Sequence, residues 1–123
     1  LADRNSVSLS EARDEQFIAL DTGYSSRKYF DELCRMAGFT PKIKMECDYM
    51  LRARMVSQRL GVAVSTARVV KNETDTSKVR VIRIAAPVLP RIQSLISHKK
   101  RAKNETAKLF HDYAMHYVKT HTV

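Results

Sequence analysis

The sequence predicts an α/β domain with a mainly parallel sheet flanked by helices. Between Phe17 and Ser65 the hydropathy pattern reads strand, helix, strand, helix, strand. Each strand–helix–strand unit is long enough for the crossover that joins parallel neighbours. Both helices begin on short polar side chains, after the turns Asp21-Thr22-Gly23-Tyr24-Ser25-Ser26 and Glu46-Cys47-Asp48-Tyr49. In an open parallel sheet such turns meet at the carboxyl ends of the strands, where ligands bind.

The elements follow in chain order. Residues 1–15 are polar and expected to lie over the surface, with a short helical turn at Ser10-Glu11-Ala12-Arg13. QFIALD, residues 16–21, is a near-continuous apolar run, as in a strand covered on both faces. The first helix is predicted over 25–37, its stripe formed by Tyr29, Phe30, Leu33, Cys34 and Ala37. Gly38 supplies a left-handed cap and Pro41 blocks continuation. KIKME, residues 42–46, alternates polar and apolar, which suits an edge strand with its lysines outward.

Asp48 is a good cap for the second helix, which is expected to turn Leu51, Met55, Val56 and Leu60 inward and to stop at Gly61. VAVS, residues 62–65, reads as a third strand. A polar loop is expected over 71–77, an alternating strand over 78–85, and another strand over 91–97. Pro87 and Pro90 bracket an extended hinge, and Asn104 caps a final helix with the stripe Leu109, Phe110, Tyr113, Ala114, Tyr117 and Val118. The organisation is thus a subdomain over 1–90 and a return strand and C-terminal helix over 91–123.

Composition narrows the function. At 44% hydrophobic and 28% charged, the 123 residues suit a globular domain rather than a disordered one. No apolar run approaches the roughly 20 residues that span a bilayer, and the polar start is no signal peptide. With no membrane association and two cysteines outside any close-spaced motif, a cytoplasmic location and a reduced core thiol at Cys34 are expected. The net charge is +9, gathered in the second half: residues 71–123 hold 11 Lys/Arg against 4 Asp/Glu. The densest stretch, 98–103 (His98-Lys99-Lys100-Arg101-Ala102-Lys103), is either a solvated turn or a nucleic-acid-binding patch, though no aromatic residues interleave with it.

Catalysis finds no support. No serine lies in a nucleophile-elbow pattern, no glycine-rich phosphate loop is present, and no cofactor is called for. His111 and His116 stand five apart, whereas a helical metal-ligand pair prefers four, so no metal site is expected.

The tract from Glu46-Cys47-Asp48 through Met55-Val56-Ser57-Gln58-Arg59-Leu60-Gly61-Val62-Ala63-Val64 resembles the LysR-type transcriptional regulators. Their effector-binding domains commonly show an acidic turn followed by Val-x-x-Gly-Leu-Gly-Ile-Ala-x-x-Pro. Phe30 to Pro41, ending Ala37-Gly38-Phe39-Thr40-Pro41, is similar to the family's helix followed by Ala-Gly-Phe-x-Pro, and Val7 to Ser10 looks like its opening segment. Arg59 stands where the family usually has Gly, and Thr66 where it usually has Pro. The resemblance implies a Rossmann-like, periplasmic-binding-protein-like subdomain that forms one wall of a small-molecule cleft. It also implies that DNA is read by a winged helix-turn-helix absent from this chain.

The candidate effector contacts are Thr22, Gly23, Tyr24, Ser25 and Ser26 in the first turn. Asp48 opens the second helix, and Ser65 and Thr66 leave the third strand. Pro90 is expected at the cleft floor by analogy with the family's hinges. Hydroxyls and backbone N–H groups at helix starts receive anionic molecules, so the effector is expected to be anionic. Ser25 or Ser26 is equally suited to capping the helix, and the two roles can coexist. A homo-oligomer is expected through helix 25–37 and strand 42–46, since an edge strand offers unpaired backbone groups.

Overall fold

Strand β2 (Gln16–Leu20) holds the architecture together. Phe17 and Ala19 on one face and Ile18 and Leu20 on the other are all at most 3% exposed. Burying Phe17, Ile18 and Leu20 contributes about 1.5–3 kcal/mol apiece. The computed structural model describes residues 1–73, 75, 77–99 and 104–121. It divides into two compact units, Leu1–Leu89 and Pro90–Val123.

In the first unit, α1 (Ser25–Met36) packs its stripe on Phe17, Ala19 and the neighbouring apolar side chains. Phe30, Leu33 and Cys34 are buried, with Tyr29 and Ala37 at the margin. The Phe17 and Phe30 rings lie 5.2 Å apart. Burial pushes the Cys34 thiol up to about 12, so it stays protonated in the core. The helix closes in a Schellman arrangement: Gly38 at φ +80° donates to the Arg35 carbonyl, and Phe39 donates to that of Cys34. Strand β3 (Lys42–Cys47) then pairs parallel with β2 from Gln16↔Lys42 to Leu20↔Cys47, with a register shift after Phe17. Its lysines are exposed, and among the described residues it pairs with β2 alone.

Helix α2 (Tyr49–Ser57) packs against β2 and β3. The chain then passes to the other side of β2, where the Val62 carbonyl accepts from the Ile18 amide at 2.8 Å and the Val62 amide donates to the Gln16 carbonyl at 2.9 Å. β2 is thus flanked by β3 on one edge and by Val62 on the other.

Several expectations need correction. Residues 1–15 are not merely a surface cover, for they form β1 (Ser6–Ser8) and a 3-10 turn (Leu9–Ala12). Leu9 and Ala12 belong to the core. The third strand shrinks to the single bridge Phe17↔Val62, because the Val64 carbonyl accepts from Arg52 and not from a strand. Residues 67–73 form α3 (Ala67–Glu73), where a loop was expected from 71. The strand predicted over 78–85 is confined to β4 (Arg83–Ala86), which pairs parallel with the three residues of β1. In α2 the inward position is taken by Arg52, while Leu51 and Leu60 are exposed.

In the second unit, residues 91–97 form no strand, and Ile92 and Ile96 are exposed. Among the described residues no strand lies beside them to complete a ladder. The unit's helix, α4 (Glu105–His121), is capped by Asn104, whose side chain accepts from the Thr106 amide at 2.9 Å. Its stripe residues Leu109, Phe110, Tyr113, Tyr117 and Val118 are all exposed.

Helix α2 ends at Ser57 rather than at Gly61, and it does so on an arginine. Arg59 sits at φ +62°, donates to Val56, and is followed by Leu60 donating to Met55, a second Schellman closure. Gly61 serves a different need. A β-carbon there would lie 2.5 Å from the Gln16 carbonyl oxygen, so only glycine lets the chain run this close to β2. Arg59→Gly is therefore expected to stabilise the fold by about 1 kcal/mol. Gly61→Ala is expected to destabilise it by about 1–3 kcal/mol. Chemical denaturation of the two variants beside the parent chain reads both signs.

Candidate functional site

The first turn begins where β2 ends. The Asp21 amide donates to the Cys47 carbonyl at 3.1 Å, tying the turn to the end of β3. The Tyr24 amide donates back to Asp21 at 3.1 Å, closing a tight turn over Thr22 and Gly23. Thr22, Gly23 and Ser25 are exposed, and Tyr24 and Ser26 are half-buried. A β-carbon on Gly23 would meet nothing within 4 Å, so the fold does not demand glycine there and the space above it is open.

Neither Ser25 nor Ser26 caps α1. Tyr24 occupies the cap position with no side-chain bond. The Ser26 hydroxyl instead bonds the Tyr49 hydroxyl at 2.6 Å, across to the second turn. The Tyr24 and Tyr49 rings meet edge-on at 5.2 Å. Asp48 caps α2, its carboxylate accepting from the Leu51 amide at 2.8 Å.

A buried arginine connects the third segment. Arg52 is 7% exposed, and its guanidinium donates to the Val64 carbonyl and to Ser65 Oγ, each at 3.1 Å. The same guanidinium lies over the Tyr49 ring, 5.2 Å from its centre. Thr66 opens α3 by accepting from the Val69 amide at 3.4 Å. The turns 21–26 and 47–49 and the exit 64–66 are thus brought to one edge. Pro90 belongs to the second unit.

Arg27 braces the first turn from inside α1. At 8% exposure it donates to the Leu20 carbonyl at 2.9 Å, to Glu46 at 2.6 Å and to Asp31 at 3.0 Å. Burial pulls its pKa down, but the bonds to Glu46 and Asp31 outweigh it and the net shift is upward. Burial also raises the Cys47 thiol beside the turn, and neighbouring Asp48 adds to the shift. Cys47 is therefore no poised nucleophile.

Arg27 and Arg52 are buried beside these turns, and neither is among the candidate residues. Both carry a readable signal. Arg27 stands in register with Phe30 and Cys34, and Arg52 with Met55 and Val56, so each places a charge on an apolar stripe.

Among the described residues no group of three or more His, Cys, Asp or Glu is arranged to hold a metal, and no helix is long and apolar enough to cross a membrane. Of the basic segment 98–103, His98 and Lys99 are exposed, while Lys100, Arg101 and Lys103 lie outside the described residues.

Asp48→Ala removes the α2 cap and is expected to cost about 1 kcal/mol. Asp48→Ser is expected to restore most of it, since the hydroxyl accepts from the same amide. Urea midpoints of the two variants check the difference.

Comparison with known proteins identifies relatives of the chain. The profile of the family described as the LysR substrate binding domain matches residues 1–119. Two HTH-type transcriptional regulators of Bacillus subtilis (strain 168) are similar: YybE, 31% identical over 116 residues, and YwbI, 29% identical over 119. The matches take in 94% and 96% of this chain and 39% of each regulator, so the chain spans about two fifths of their length. The transcriptional dual regulator GltC of the same organism is 25% identical over 118 residues, 95% of this chain and 39% of its own. The effector binding domain of QuiR, solved in complex with shikimate, superposes with a TM-score of 0.82 at 24% identity. That match covers 100% of this chain and 58% of the QuiR chain.

Proposed function

The chain belongs to the LysR substrate-binding family, and on that premise we propose that its first unit presents one wall of a cleft that senses a small anionic effector for a transcriptional regulator. The observation that carries this reading is the meeting of three segment exits at one sheet edge, with Thr22, Gly23 and Ser25 exposed upon it. Thr22 and Ser25 offer hydroxyls, and the start of α1 offers amides with no intrahelical acceptor. Gly23 leaves room for a ligand to approach the backbone. Asp48, Ser65 and Thr66 complete the proposed contact set in the first unit, Asp48 and Thr66 while also serving their helices.

The chain acts by binding and not by turnover, and DNA is read by a winged helix-turn-helix outside it. A cytoplasmic location follows from that role. The nucleic-acid reading of the 98–103 segment gains no support from the family profile. Because the QuiR domain was solved with shikimate, cyclic hydroxy acids are the first class to titrate, followed by open-chain dicarboxylates. Calorimetry on the full-length product is expected to find a ligand among them, with affinity falling about a hundredfold in the double variant Thr22→Ala, Ser25→Ala, as for loss of two hydrogen bonds to a charged group at about 1.5 kcal/mol each. Unchanged affinity removes these two residues from the site.

We further propose a homo-oligomer formed through helix 25–37 and strand 42–46. Strand β3 is paired on one side only among the described residues, and Met36 and Met45 are both exposed along these elements. Sedimentation of the parent is expected to show a dimer or higher state that Met36→Glu, Met45→Glu shifts toward monomer. An unaltered distribution places the interface elsewhere.

A further inference from the structure

Arg52 joins the three exits mechanically, and we propose that it is the positioning residue through which the Ser65 exit and the Ser26 turn sense one another. The guanidinium grips Val64 and Ser65 with its two terminal nitrogens and lies over the Tyr49 ring. Tyr49 carries the link onward, by its hydroxyl to Ser26 and by its ring edge to Tyr24. The chain Ser65–Arg52–Tyr49–Ser26 thus crosses all three exits without passing through the sheet.

Burial makes the link stiff. At 7% exposure the guanidinium has little water to replace a lost partner. Arg is suited to this place and Lys is not. A planar fork serves two acceptors and lies on a ring at the same time, whereas an ammonium is a point charge with no plane to stack. A ligand that moves Ser65 therefore moves Tyr49, and through it the turn that carries Ser25 and Ser26. Arg52 needs no contact with the ligand to act in this way.

The inference rests on the proposed effector edge, but its test needs no effector, so the two can fail separately. Calorimetry reads the edge, and the following measurement reads the link. The full-length protein is prepared with 13C-labelled tyrosine rings and 15N-labelled arginine and examined by NMR without ligand. Ser65→Ala removes one acceptor at the far end and is expected to shift the ring signals of Tyr49 and Tyr24. Ser26→Ala, from the opposite end, is expected to shift the Arg52 Nε–H signal. In an Arg52→Lys background, Ser65→Ala is expected to leave both rings where they are. A residue that merely supports the fold would show no such dependence of one end on the other. Tyrosine rings that ignore Ser65→Ala overturn the proposal, as do rings that respond equally in the Arg52→Lys background. Should Arg52→Lys not fold, the two alanine variants decide alone, since each removes only one hydroxyl.

Discussion

Everything in the first unit depends on a five-residue strand that is covered on both faces and bonded on both edges. β2 takes β3 on one side and Val62 on the other. Its side chains alternate between the α1 cluster and the face against which α2 packs. Once that strand is central, the ends of its neighbours fall together at one edge. The close approach at Gly61 is a consequence of the same constraint, because Val62 reaches the ladder only if the preceding residue passes against Gln16. The position of the site is therefore a property of the core before it is a property of any polar residue.

The two buried arginines show how a chain of net charge +9 builds that edge without flooding it with positive charge. Each guanidinium is spent on the protein itself: Arg27 on Leu20, Glu46 and Asp31, Arg52 on Val64, Ser65 and the Tyr49 ring. Arg27 has two carboxylates and a carbonyl to offset its burial, so its charge is neutralised where it lies. Arg52 meets the Val64 carbonyl, the Ser65 hydroxyl and the Tyr49 ring. Arg27 thus braces the end of β2 and the start of α1, and Arg52 ties α2 to the 64–65 segment. Both keep the neighbouring carbonyls satisfied at a place where the strand ladders stop.

How much of this the sequence disclosed depends on the range of the interaction. The β2 run, the α1 stripe, the Gly38 closure and the Asp48 cap are local patterns, and each was legible. The polar turns were legible too, as segments opening two helices at the carboxyl ends of strands. The partners of those turns were not. Ser26 reads as a cap in one dimension, yet it bonds Tyr49, 23 residues away. The truncation of the 62–65 strand was hidden for the same reason, since it follows from Arg52 taking the Val64 carbonyl. The apolar 91–97 segment reads as a strand, but a strand exists only with a neighbour, and periodicity cannot supply one.

Arg59 separates what the family pattern demands of the side chain from what it demands of the backbone. The family usually has Gly where this chain has Arg, and a different residue there invites a different helix ending. The backbone nonetheless stays in the left-handed region at φ +62°, and both Schellman bonds form around it. The demand is thus for a reversal that returns the chain to β2, set by Gly61 and Val62 two and three residues later. The strand contact outweighs the local cost of a left-handed arginine, which is on the order of 1–2 kcal/mol. A glycine in this position is a concession to geometry that the surrounding fold enforces in any case. The same logic applies in reverse at Gly23, where the backbone makes no such demand and the missing side chain leaves open space instead. Gly61, against the first residue of β2, is thus required by the fold, and Gly23, past the last residue of that strand, is not.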